Sequence, residues 1–343
     1  MRVRGDVHGA AGSGGWLSAR GWCAGVLVVM VGGMPLVTAG RAPAAFRYQV
    51  TGAIPVGAEP DAVAVDPATR TVYVANSVGA TVSVIDEATG AVTGTIPVGT
   101  DPDAVAVDPA ARTVYVANGG GTVSVIDEAT GAVARTIRVG ASPDSVAVDP
   151  VSGTVYVTNF DADSVSVIDE ATGAVIRTIP VGSYPDAVAV DPATGTAYVG
   201  NYGYGTNNTV SVIDEATGTV TGTVHEGPGP AGIAVDSAAG AVYVADMSAN
   251  TVSVIDEATG TVIRTIPVGT GPDAVAVDPA AHTVYVANAD GGTVSVIDEA
   301  TGTVTATVQV GAWPDGVAVD PGTHTAYVAN MFGGSVSVIS RRM

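Results

Sequence analysis

The chain has 343 residues, 13 basic and 33 acidic, for a formal net charge of −20, and its single cysteine excludes a disulfide framework and a multi-thiolate metal site. Every basic residue is Arg, and so acidic a chain lacks the clustered positive charge that binding a nucleic-acid backbone requires. Apolar residues make up 47%, aromatics only 5%, and 45 residues are glycine. At about 150 residues per domain the length suggests two domains, although an all-β ring can hold more as one unit. Mean hydropathy is +0.38, yet outside one early segment no apolar run is long enough to span a bilayer.

Residues 1–45 read as a signal peptide or leader. Arg2, Arg4 and Arg20 precede an uncharged stretch built around Val26-Leu27-Val28-Val29-Met30-Val31, and small residues offer cleavage after Ala39 or Ala44. The competing reading is an uncleaved anchor, which several glycines and Pro35 disfavour. Cys23 lies inside this leader, with Arg20 where a lipobox would carry Leu, so a lipoprotein is not expected. Export then leaves 46–343 as a mature chain without cysteine and without a membrane span. Nine Arg against 32 acidic residues give it a net charge of −23.

From residue 46 onward the chain repeats itself. Val-Ala-Val-Asp recurs with its Asp at 66, 108, 149, 191, 236, 278 and 320, the fifth copy beginning with Ile233. A Tyr follows seven residues later each time, from Tyr73 to Tyr327, and Val-Ser-Val-Ile closes each unit, from Ile85 to Ile339. Seven copies of about 42 residues fit helical arrays as well as propeller blades, and the content of each unit decides between them. In the first unit, residues 61–66, 71–76, 81–86 and 91–98 are rich in Val, Ile, Thr or Tyr and bounded by Gly, Pro, Asn or Asp. No stretch carries helical apolar spacing over ten residues. Four antiparallel strands per unit, seven times over, predict an all-β, seven-bladed β-propeller.

Alternating Ala and Val in Asp61-Ala62-Val63-Ala64-Val65 suits blades buried on both faces, small residues of one meeting branched residues of the next. Asp-Pro-Ala-Thr fits a type I turn, and Asp-Glu-Ala-Thr-Gly a hairpin with a left-handed Gly. The last unit stops at Met343 without its fourth strand, whereas residues 49–57 match residues 91–99. The N-terminal strand is therefore expected to pair with the last blade and close the ring, leaving no open sheet edge.

The string Tyr156-Val157-Thr158-Asn159, with Tyr-Val-Ala-Asn at 73–76, 115–118, 285–288 and 327–330, resembles the YVTN-family β-propeller repeat of surface-layer and YncE-like proteins. Blades four and five depart slightly, with Gly200 and Asp246 in the motif. The resemblance implies a seven-bladed, exported or cell-surface ring and carries no catalytic motif. Related seven-bladed folds include lactonases and haem or quinone enzymes, so fold alone does not specify function. A nucleic-acid role, suggested for some YncE-like proteins, conflicts with the charge.

Function is expected where the copies differ. One face carries near-invariant hairpins. The other carries the Val-Gly-x-x-Pro-Asp lead-in loops and the loops after Tyr-Val-Ala-Asn, and there Phe160, Tyr184, Tyr202, Tyr204, Trp313 and Phe332 interrupt the repeat. Blade order places them in two patches, one on blades three and four and one on blade seven. Aromatics on variable loops predict a ligand-binding face for a cell-surface glycan, a peptide or a protein.

A second candidate is a carboxylate ring of Asp61, Asp103, Asp144, Asp186, Asp273 and Asp315 at the start of the innermost strands, with Ala231 in blade five. Its metal would be Ca²⁺ or another divalent cation; the competing reading is six local turn caps. Phe160-Asp161-Ala162-Asp163 lacks the Gly and distal Glu of an EF-hand loop. His225-Glu226 is unique and lies where blade four leads into Gly227-Pro228-Gly229-Pro230-Ala231, His282 and His324 share a solvated hairpin slot with Arg70 and Arg112, and no Ser–His–Asp set is recognisable. The sequence thus reads as a secreted or cell-surface, monomeric, non-catalytic binding propeller. The alternative is a metal-dependent, lactonase-like hydrolase or lyase using the channel carboxylates.

Overall fold

Period-two alternation of branched and small residues makes each run an extended strand with two usable faces. In the computed structural model, which describes residues 46–205 and 208–342, the first repeat forms Pro60–Asp66, Thr71–Asn76, Thr81–Asp86 and Ala91–Pro97. These strands pair antiparallel in chain order. The same pattern yields seven four-stranded sheets. The innermost strands Pro60–Asp66, Pro102–Asp108, Pro143–Asp149, Pro185–Asp191, Pro230–Asp236, Pro272–Asp278 and Pro314–Asp320 touch in succession, and the last touches the first. The described residues thus form a seven-bladed β-propeller. The leader expected over 1–45 lies outside them, and among them no helix is long and apolar enough to cross a membrane.

Closure follows from the displaced strand. Arg47–Pro55 pairs antiparallel with Ser335–Arg342, setting Ile54 opposite Val336 and Gln49 opposite Ser340, and becomes the fourth strand of blade seven. The Val56 amide donates to Gly334 O at 3.1 Å, the same bond that Val98 makes to Ala80 O within blade one. Two of the aromatics outside the repeat serve this seam. Tyr48 meets Tyr285 edge-to-face at 6.0 Å, and the Arg341 guanidinium sits 3.4 Å over the Phe46 ring.

The apolar core is divided into seven inter-blade seams. In one, Tyr73, Ala75, Val82 and Ile96 of blade one meet Val105, Val114, Val116 and Ile126 of blade two. The half-buried Ala62 and Ala64 join the same seam beside Val107. The Tyr-and-Ala face of every second strand therefore meets the branched face of the next blade, which accounts for a core with few large rings.

A polar latch repeats beneath the variable face. Asn159 is fully buried; its Nδ2 donates to Ser164 Oγ at 3.2 Å and Ser166 Oγ at 3.0 Å, while its Oδ1 accepts the Gly140 amide at 2.9 Å. Asn330 makes the same set with Ser337 Oγ and the Gly311 amide. A Cβ on Gly140 would stand 2.4 Å from Asn159 Cγ, and the equivalent glycines of blades one, two, four, six and seven are as crowded. Glycine is required there by close approach. Gly140→Ala is expected to cost about 2 kcal/mol by overpacking, read as a fall in thermal midpoint of several degrees. An unchanged midpoint would show that the latch can give.

Candidate functional site

The face of near-invariant hairpins is tied together by the side chains of its own turns. In Asp-Glu-Ala-Thr-Gly, Asp86 Oδ1 accepts the Thr89 amide at 2.8 Å and the Thr89 hydroxyl at 2.6 Å, and Gly90 takes a φ of 65°. The Thr89 hydrogen bonds hold the Asp86 carboxyl below its usual range. Its neighbour Glu87 goes the other way, pushed up by burial against blade seven, where Tyr327 Oη donates to Glu87 Oε1 at 2.9 Å. Tyr115 donates likewise to Glu170 Oε1 at 2.9 Å. Each such Glu faces the Tyr and the Asp of the preceding blade. Burial, then Asp149, raises Glu215 to about 8, and burial, then Asp236, raises Glu299 to about 7. The seam between blades six and seven is the exception: Arg341 takes the Glu slot, and Asp278 is met instead by His324 Nδ1 at 2.8 Å. The hairpin slot expected to be merely solvated is therefore also an ion-pairing position. His282 stands 3.5 Å from Glu299 and Arg70 3.6 Å from Glu87.

The opposite face is built on a conserved backbone with divergent side chains. In every lead-in loop the residue before Pro adopts a left-handed φ: Glu59, Asp101, Ser142, Tyr184, Gly229, Gly271 and Trp313. Its carbonyl accepts the amide of the residue that follows the second strand, as in Tyr202 to Tyr184 at 2.9 Å and Met331 to Trp313 at 2.8 Å. Glycine occupies this conformation without penalty, as it does in blades five and six. Blades four and seven place Tyr184 and Trp313 there, and Tyr204 also has a φ of 44°. Bulky residues in this region hold strain, and such strain gathers at ligand-binding positions.

Those loops bring four rings together. Phe160 and Tyr184 lie 5.2 Å apart, Tyr184 and Tyr204 4.7 Å, Tyr202 and Tyr204 5.2 Å, and Phe160 and Tyr204 6.4 Å between centroids. Tyr204 stands at 81° to 86° to its three neighbours. It is 63% exposed and Tyr184 37%. Trp313 and Phe332 form a separate pair at 5.3 Å on blade seven, with Phe332 63% exposed. Of the six aromatics, four make one patch and two make another. Asp163 anchors the larger patch by accepting the Tyr184 amide at 2.8 Å, and Asp161 accepts from Ser142 Oγ. Sequence reasoning set this Asp pair aside for lack of an EF-hand pattern; its tie to Ser142 and Tyr184 depends on which loops become neighbours.

Asp61, Asp103, Asp144, Asp186, Asp273 and Asp315 stand at equivalent places, each next to the register shift that follows the Pro opening an innermost strand. A bulge of this kind re-aims the side chain it carries. Among the described residues, no three His, Asp or Glu side chains gather into a group that could hold a metal ion.

Blade five carries a paired departure. Where other blades place Val before Gly and Asn at the latch, it has Glu226 and Asp246. Asp246 is fully buried and accepts Ser253 Oγ at 2.7 Å and Thr251 Oγ1 at 3.1 Å. Burial, then the Asp246 charge, pushes Glu226 up to about 7. His225 is exposed, whereas Glu226 turns its carboxylate inward to blade five. The sequence signal for this pair was two substitutions in one repeat, separated by 20 positions.

The YncE-like β-propeller family profile matches residues 39–152 and 228–331. The chain belongs to the YncE-like β-propeller family. The four-ring patch of this propeller lies between the two matched stretches. No curated protein matches the chain. Among solved structures, the propeller is similar to a chain of hydrazine synthase from Kuenenia stuttgartiensis, at 23% identity and a TM-score of 0.75. The similarity covers 82% of this chain and 95% of that one. At that identity it shows a shared fold.

Proposed function

We propose that this propeller is an exported, monomeric, non-catalytic binding module, with residues 1–45 as its leader and the variable-loop face as its binding surface. The observation that carries the reading is the four-ring patch. Three loops from two blades converge on it, and two of its rings sit on left-handed backbone. Exposed aromatics presented by loops on a rigid scaffold are a common means of recognition, because they offer large contact area with few rotors to freeze. The Trp313–Phe332 pair supplies a second, smaller contact on the same face.

The exported protein is expected to begin after Ala39 or Ala44, as N-terminal sequencing would show. Its capture of a ligand on glycan, peptide and protein arrays is expected to weaken at least about thirtyfold when Tyr184 and Tyr204 are both changed to Ala, the loss typical of a binding hot spot. Trp313→Ala is expected to weaken it less. Array binding that survives all three substitutions would remove the site assignment.

A further inference from the structure

We infer that the ligand of the four-ring patch is a cationic peptide segment, one bearing several Arg or Lys side chains. This rests on the binding role proposed above and names the chemistry of the partner.

Charge is the first reason. The lead-in loops and the loops after the second strands, with the strand ends that flank them, hold 13 of the 32 acidic residues of the ring, from Glu59 to Asp315, two of them, Glu226 and Asp246, turned inward. The only Arg among them is Arg138. The acids of the opposite face are largely absorbed by architecture, Asp86 by Thr89 and Glu170 by Tyr115, for example. On the variable face, Asp161 and Asp163 accept from Ser142 and the Tyr184 amide but stay exposed beside the rings. An anionic glycan or nucleic acid would be repelled there, and a neutral glycan would gain nothing from the field.

Ring geometry is the second reason. Tyr204 stands nearly perpendicular to Phe160, Tyr184 and Tyr202, and Phe160 is tilted 48° to Tyr184, so the patch presents ring planes in several orientations rather than one flat stacking platform. A guanidinium or ammonium group is attracted to the face of an aromatic ring, and more strongly when carboxylates lie near. The same chain already uses this contact at its closing seam, where Arg341 covers Phe46. Arg also matches a carboxylate such as Asp161 or Asp163 through its planar fork of donors.

The test titrates the mature protein with labelled octa-arginine, octa-glutamate and a neutral chitin oligosaccharide, followed by fluorescence anisotropy at low and physiological salt. Octa-arginine is expected to bind, and to bind more weakly as salt rises. Its affinity is expected to fall by about tenfold in Tyr184→Ala/Tyr204→Ala and in Asp161→Asn/Asp163→Asn, but to hold in Asp290→Asn, a control on blade six. The Asn pair keeps an acceptor for the Tyr184 amide, so it removes charge with the loop bond retained. Equal affinity across all variants would mean diffuse attraction to an acidic protein and would overturn the inference. Oligosaccharide binding that depends on the rings would also overturn it, while leaving the patch as the binding site. Failure of all three probes would overturn it too, and the array result would then decide the broader role separately.

Discussion

Truncating the chain to residues 56–343 is expected to abolish cooperative unfolding and to produce strand-exchanged oligomers. The deletion removes the whole fourth strand of blade seven and leaves Ser335–Arg342 as a bare edge. It also strips Ile54 from the seam that holds Val63, Val72, Val74 and Ile85. A ring has no slack to absorb this, because each blade is buried on both faces, and an unpaired strand edge templates association with another chain. Light scattering and thermal melting would read the result. A synthetic peptide spanning 46–57 is expected to restore a monomeric melt. The milder Ile54→Asp places a charge in a buried seam and is expected to cost about 4 kcal/mol, lowering the midpoint by about 10 °C. A truncated chain that stays monomeric with an unchanged melt would refute closure by this strand.

Stability is expected to be greatest in mild acid and to decline through neutrality. Glu215, Glu226 and Glu299 are raised from 4.5 to about 8, 7 and 7, in each case first by burial. A carboxyl of this kind holds its proton more tightly folded than unfolded. Its contribution is therefore complete below 4.5 and is lost as pH climbs through 7 to 8. Glu87, Glu128, Glu170 and Glu257 are raised for the same first cause and act in the same direction. The Thr-capped Asp86 and Asp127 are lowered, so their contribution fails only as pH falls below the ordinary Asp value. Partial solvent contact screens the raised groups, so Glu215, Glu226 and Glu299 together contribute on the order of 4 kcal/mol rather than their full shifts. Self-repulsion within residues 46–343, where 9 Arg face 32 acidic residues, adds to the trend. The melting midpoint is expected to drop by about 10 °C between pH 5 and pH 8.5. Glu215→Gln with Glu299→Gln should flatten the curve. A midpoint that rises with pH would contradict this account.

Much of the ring was legible because every repeat states the same thing seven times. The segments 71–76 and 81–86 read from the first unit are the observed strands, and the outer two differ by one residue at one end. Closure was visible because a missing fourth strand at one end matched a surplus strand at the other. Blade order assigned the six aromatics to blades three and four or to blade seven, without showing which rings touch. The left-handed slot shared by Tyr184 and Trp313 was not legible, since Glu59, Asp101 and Ser142 fill it without a common side chain. The inter-blade role of Glu87 and its equivalents was hidden for a related reason. Their partners, such as Tyr327 for Glu87, lie in the preceding blade, which for the first blade is the last in sequence.

The sequence by itself determined the blade count, the strands, the turn chemistry and the closing strand of this YncE-like propeller. These are local or periodic properties, written in residue type and spacing. Only the tertiary structure decided which side chains meet. It gathered Phe160, Tyr184, Tyr202 and Tyr204 into one patch, turned Glu226 toward Asp246, and set adjacent carboxyls of one hairpin to opposite shifts. The physical reason is that contact between blades depends on distance and burial across the seams, and neither is carried by a repeat read one copy at a time.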